Sequence, residues 1–182
     1  MTSLNSKKSL SIIVLAVLII GVLAFQFINH TGPFKSSGNQ SSTNSTELSG
    51  KEKVHVERVV DGDTFVATKK DGTEIKVRLI GIDTPETVKP NTPVQPYGKE
   101  ASNYSKQHLN GKDVYLEYDK EKENRYGRTL AYVWLDKDTM YNEELVKKGL
   151  AREKYFSPNG KYRNVFEKDE QQARQDKVNL WS

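Results

Sequence analysis

Residues 51–182 predict an α+β domain built around a small β-barrel. Three observations carry that expectation: five short runs with strand character, a turn dipeptide between two of the early runs, and helix-period stretches interleaved among the later ones. The first run places Val54, Val56 and Val59-Val60 ahead of Asp61-Gly62-Asp63, where the chain turns. Thr64–Thr68 is the second run and Glu74–Ile80 the third. Asp71-Gly72 between them is strong hairpin chemistry, because both residues tolerate the backbone of a tight turn. In the third run Ile75, Val77 and Leu79 share one face, and Glu74, Lys76 and Arg78 the other.

A helix is expected near Gly98–Leu109, with Ala101, Tyr104, Ser105 and His108 on one side and Asn110-Gly111 as its stop. Strands follow at Val114–Tyr118 and Leu130–Leu135. A short helix over Met140–Lys148 ends at Gly149. The last helix, near Tyr162–Asp176, presents Tyr162, Val165, Phe166, Asp169 and Ala173 at helical spacing.

The first fifty residues read differently. Residues 1–9 carry Lys7 and Lys8, and residues 10–28 hold no charge. As a helix the uncharged run spans roughly 28 Å, close to a bilayer core. The lysines before it place the remainder of the chain outside the cytoplasm. A cleaved signal peptide and an uncleaved membrane anchor both fit; the length of the apolar run favours the anchor. Residues 29–50 are rich in Ser, Thr, Asn and Gly, which bury too little apolar surface to offset chain entropy, so they read as a flexible linker. The expected organisation is therefore 1–9 cytoplasmic, 10–28 anchor or signal, 29–50 linker and 51–182 the folded domain.

The absence of cysteine excludes a disulfide framework, a thiolate zinc site, a cysteine nucleophile and a lipidated cysteine. His30, His55 and His108 have no ligand spacing and read as surface or packing residues. The net charge of +4 names no partner, since Lys7, Lys8 and Lys35 against Glu47 supply half of it outside the domain. The case for function rests on placed residues. Arg78-Leu79-Ile80-Gly81-Ile82-Asp83-Thr84-Pro85-Glu86 gathers one arginine and two carboxylates at the end of a strand, and Asn124-Arg125-Tyr126-Gly127-Arg128 brings further arginines just before another.

These motifs resemble those of the staphylococcal nuclease family. The likeness runs from about Val54 to Trp181, through Asp61-Gly62-Asp63-Thr64, Arg78-Leu79, Asp83-Thr84-Pro85-Glu86, Tyr97-Gly98, Tyr126-Gly127-Arg128, Gly149-Leu150-Ala151 and Asn179-Leu180-Trp181. Several motifs in one order and spacing are far more specific than any one alone. The resemblance implies a five-stranded OB-fold β-barrel with three helices, and calcium-dependent hydrolysis of DNA and RNA to 3′-phosphate ends.

The residue types suit that chemistry. Asp63 and Asp83 are hard oxygen donors of the kind calcium takes, and the resemblance adds the backbone carbonyl of Thr84 as a ligand and Asp61 as support behind the metal. It makes Arg78 and Arg128 stabilisers of the transition state, for which a planar guanidinium fork is apt, and Glu86 the general base for the attacking water. Arg125, Tyr126 and Tyr155 are implied as substrate contacts, and the domain is expected to be monomeric. In isolation each charged residue at a strand end reads as a solvated rim residue; a full set in register reverses that. Some features depart from the pattern. The loop from Val88 to Pro96 carries Pro90, Pro93 and Pro96 with Lys89 as its only cation, and Phe156-Ser157-Pro158 after Tyr155 lacks a second tyrosine. The alternative is a catalytically weak nucleic-acid-binding OB-fold module tethered to the membrane. Such a module has no need for Asp63, Arg78, Asp83, Glu86 and Arg128 together. A scaffold using calcium for stability alone leaves the two arginines unexplained.

Overall fold

The computed structural model describes residues 48–87 and 93–182. The apolar segment 10–28, the linker as far as residue 47, and Lys89 and Pro90 lie outside the described residues. Strand β1 (Glu52–Asp61) buries Val54, Val56 and Val59 on one face. Its strict alternation would turn Val59 outward, but a β-bulge between Val56 and Arg58 exposes Glu57 and Arg58 in succession and restores the apolar side to the core. β2 (Thr64–Lys69) and β3 (Glu74–Leu79) form the expected hairpin. Gly72 takes φ +86° there, and Asp71 Oδ1 accepts the Thr73 N–H at 2.9 Å.

β3 ends at Leu79, and β4 (Gly81–Asp83) runs out of the barrel. Helix α1 (Gly98–Leu109) packs on β1. β5 (Asp113–Glu117) and β6 (Thr129–Trp134) then complete a closed barrel in the order β1-β2-β3-β6-β5, with β5 pairing back to β1. The β3–β6 pair is parallel and the other barrel pairs are antiparallel. α2 (Tyr141–Lys147) and α3 (Arg163–Gln175) pack against each other, separated in the chain by β7 (Arg152–Lys154). A single turn of 3₁₀ helix, Asn179–Trp181, ends the described chain. A five-stranded closed barrel with three helices fits the expected architecture. Among the described residues no helix is long and apolar enough to cross a membrane.

The core joins barrel and helices. Phe65, Leu79 and Leu116 from the strands meet Tyr132, Tyr141 and Phe166, all fully buried. Each such side chain contributes about 1.5–3 kcal/mol of transfer free energy. On α1 the expected face holds, with Ala101 and Ser105 buried and Tyr104 stacked on His108 at 3.8 Å. On α3 the expectation fails at one position. Phe166 and Ala173 are buried, but Val165 is 38% exposed, because it lies a helical step of 100° away from Phe166 and clear of the barrel. The sequence reading also missed β4 and β7. At three residues each they are too short to show a period, yet they pair antiparallel outside the barrel, with Asp83 opposite Arg152.

Candidate active site

The β1–β2 turn delivers two carboxylates to one end of the barrel. Asp63 is 2% exposed, and its oxygens are well occupied. Oδ2 accepts the Thr84 N–H and hydroxyl, each at 3.0 Å, while Oδ1 accepts the Thr64 hydroxyl at 3.0 Å and pairs with Arg78 Nη1. Gly62 makes this approach possible: a Cβ there would stand 2.7 Å from Thr84 Oγ1. From α1, the buried Ser105 hydroxyl donates to the Gly62 carbonyl at 2.6 Å, and from α2 the Tyr141 hydroxyl donates to Ser105 at 2.8 Å. Two helices thereby fix the turn that carries the acids.

Arg78 stands opposite Thr64 in the β2–β3 register, and its side chain is 15% exposed. Its Nη2 donates to Asp83 Oδ1 at 2.6 Å, so one guanidinium bridges Asp63 and Asp83. Burial pulls its pKa below the ordinary guanidinium value, opposed by Asp83 and reinforced by the charge of Arg128. Its ion pairs with Asp63 and Asp83 favour the charged guanidinium. The parallel β3–β6 register sets Arg78 opposite Leu130, two residues beyond Arg128, so Arg128 enters β6 next to the strand that carries Arg78. Its Nε is buried and has no hydrogen-bond partner among the described residues. A buried charged donor without an acceptor is costly, and an anionic oxygen would relieve it.

The turn before Arg128 is organised by Asn124, whose Oδ1 accepts the N–H of Tyr126 at 3.0 Å and of Arg128 at 3.1 Å. The sequence reading passed over Asn124, although asparagine opening a turn that closes on glycine was a usable signal. Arg125 and Tyr126 come together: Arg125 Nη2 donates to the Tyr126 hydroxyl at 2.6 Å, and its guanidinium lies 4.8 Å from the ring centroid. Arg128 lies 5.6 Å from the same ring, and Tyr126 is 67% exposed. Tyr155 has other company. It lies beneath Arg163 at 4.8 Å and lines a surface hollow with Lys120 and Lys161.

Glu86 is half-buried in the extended chain that leaves β4, between Thr84 and Thr87. The Asp61 carboxylate accepts the Gly62 N–H at 2.8 Å and the Thr87 hydroxyl at 2.5 Å, so it braces the segment next to Glu86. A cleft of ≈ 610 Å³ opens beside Asp83 and Thr84, walled by Gln95, Tyr97 and Arg152. That volume lies within the range of small-ligand sites.

Residues 76–182 match the model of a family described as staphylococcal nuclease homologue. The chain belongs to the staphylococcal nuclease family. It is 53% identical to the thermonuclease of Staphylococcus intermedius over 175 residues, covering 96% of this chain and 98% of that protein. It is 51% identical to the thermonuclease of Staphylococcus hyicus over 176 residues, covering 97% and 99% respectively. Endonuclease YncB of Bacillus subtilis is 42% identical over 150 residues, with 81% of this chain and 69% of that protein covered.

The donor set of this family member fits a hard cation. Asp63 and Asp83 already converge on one positive group, and carboxylate oxygens suit calcium rather than soft metals. Among the described residues no three His, Asp or Glu side chains gather around a common point.

Proposed function

We propose that the protein is a calcium-dependent endonuclease that hydrolyses phosphodiester bonds of DNA and RNA outside the cytoplasm, leaving 3′-phosphate ends. That it is a nuclease, and hence a hydrolase, follows from its family membership and from thermonuclease relatives that match nearly its whole length. The observation that carries the finer reading is the meeting of Arg78 with Asp63 and Asp83, on the strand next to the one Arg128 leads into, with Arg128 Nε buried and without a hydrogen-bond partner among the described residues.

In this reading Asp63, Asp83 and the Thr84 carbonyl hold the calcium. When bound, the ion supplies divalent charge that offsets the charge building on the phosphoryl oxygens. Arg78 and Arg128 grip the same phosphate, and their guanidinium donors strengthen as the transition state becomes more negative. Glu86 takes the proton of the attacking water. Asp61 steadies this machinery from behind, through Gly62 and Thr87. Tyr126 and Arg125 form an exposed aromatic–cation pair suited to a base and its phosphate, and Tyr155 offers a second aromatic surface. The uncharged run 10–28, preceded by Lys7 and Lys8, supports export, either as a membrane anchor or as a cleaved signal.

The test is digestion of matched DNA and RNA substrates by the purified protein, with the product ends identified. Cleavage of both polymers to 3′-phosphate ends is expected. Products ending in a 3′-hydroxyl would reject the assigned bond polarity.

A further inference from the structure

Glu86 lies after β4 and outside the named strands, so contacts other than strand pairing set its backbone direction. Gln95 supplies two of them. The Gln95 amide oxygen, Oε1, accepts the Glu86 N–H at 3.0 Å, and the Gln95 backbone N–H donates to the Glu86 carbonyl at 3.1 Å. Both polar groups of Glu86's own backbone are thereby tied to a residue nine positions further on.

Gln95 is itself held by the turn it opens. Its carbonyl accepts the Gly98 N–H at 3.0 Å, with Pro96 at the second position and Tyr97 at the third, φ 62° and ψ 5°. These are the angles of a type II turn, whose third position ordinarily takes glycine. Tyr97 occupies it while its hydroxyl hydrogen-bonds Ser182 Oγ at 2.6 Å. Gly98 then lets the start of α1 press close: a Cβ would stand 2.8 Å from Thr87 Cγ2 and 3.2 Å from the carbonyl oxygens of Pro85 and Glu86. On the other side Thr87 is bound to Asp61.

We infer that Gln95 is a positioning residue of the nuclease reaction, its side-chain oxygen holding the Glu86 backbone so that the carboxylate meets the attacking water. The inference rests on the reading of Glu86 as general base. It assigns Gln95 a role in turnover rather than in binding substrate, because its side-chain oxygen and its backbone N–H both go to Glu86.

The experiment compares Gln95→Met, which keeps the length and loses the acceptor, with Gln95→Glu, which keeps an acceptor. Glu86→Gln and the double variant Glu86→Gln/Gln95→Met complete the set. For each, kcat, KM and the melting midpoint are measured on DNA with calcium present. Gln95→Met should lower kcat about tenfold, a fraction of the loss a fully misplaced group produces, with KM and melting midpoint unmoved. Gln95→Glu should restore most of kcat, and Gln95→Met should cost nothing further once Glu86 is Gln. Wild-type kcat in Gln95→Met, alongside a large loss in Glu86→Gln, would overturn the inference and leave the base assignment standing. An equal loss in both backgrounds, or a loss that follows the melting midpoint and is not restored by Glu, would also overturn it. Full activity in Glu86→Gln would sink the base assignment itself, and the inference with it.

Discussion

The Arg78 guanidinium divides its donors between Asp63 and Asp83, a geometry that a lysine ammonium cannot reproduce from the same backbone position. Arg78→Lys and Arg128→Lys should each raise the barrier by about 3 kcal/mol, more than a hundredfold in kcat/KM, on the scale of removing one preorganised donor. A loss under about tenfold in either variant would argue against a grip on the phosphate. Residue types at strand ends made these positions legible in the sequence. The bonds around them were not legible. That Thr84 gives two hydrogen bonds to Asp63, that Thr87 leans on Asp61, and that Gln95 holds Glu86 are all facts of approach between separate segments. Local periodicity carries no trace of such approaches.

At the scale of elements, the hairpin, the barrel strands and the three helices followed from alternation, turn chemistry and helical spacing. What failed was length. β4 and β7 are too brief to announce themselves, although β4 is what carries Asp83 to the site. The start of α1 offers a direct test of how tightly elements seat the catalytic segment. Gly98→Ala should lower both kcat and stability, the latter by about 1–3 kcal/mol, as overpacking does. Melting and steady-state kinetics would check it, and unchanged values in both would mean the Glu86 segment has slack. β7 and α3 offer a pH test. Burial raises the Glu153 carboxyl above its ordinary value of 4.5, and Glu167 and Glu170 reinforce the shift against Arg163. The folded chain therefore holds that proton more tightly than the unfolded one, and stability is lost as pH rises from 4.5 through the folded value. Below the window the cost is absent. Glu153→Gln should thus raise the melting midpoint at neutral pH and lose that advantage in acid. An equal gain at both extremes would contradict the assignment.

Over the whole molecule, the barrel and its helices act as a frame on which four separate segments supply the candidate residues, with Arg78 joining Asp63 to Asp83. The β1–β2 turn gives Asp61 and Asp63, β3 gives Arg78, β4 and the chain after it give Asp83, Thr84 and Glu86, and the turn before β6 gives Arg128. The parallel β3–β6 pair sets Arg78 opposite Leu130 and so brings Arg128 close, a neighbourhood that depends on barrel closure and that no single segment encodes. The frame is tied at its end as well: Trp181 lies 4.3 Å from the Arg152 guanidinium and 3.6 Å from that of Arg174, so the last residues fasten β7 to α3.

In the proposed function, Asp63 and Asp83 hold a calcium ion on which cleavage depends. Calcium titration of the wild-type protein and of Asp83→Asn, followed by both calorimetric binding and DNA cleavage, tests it most directly. The wild-type protein should bind with a midpoint of roughly 10⁻⁴–10⁻³ M, as extracellular sites do, and cleavage should rise over the same range. Asp83→Asn should shift both curves to higher calcium together. Cleavage that persists undiminished in the presence of a chelator, or that ignores the substitution while binding is lost, would contradict the account.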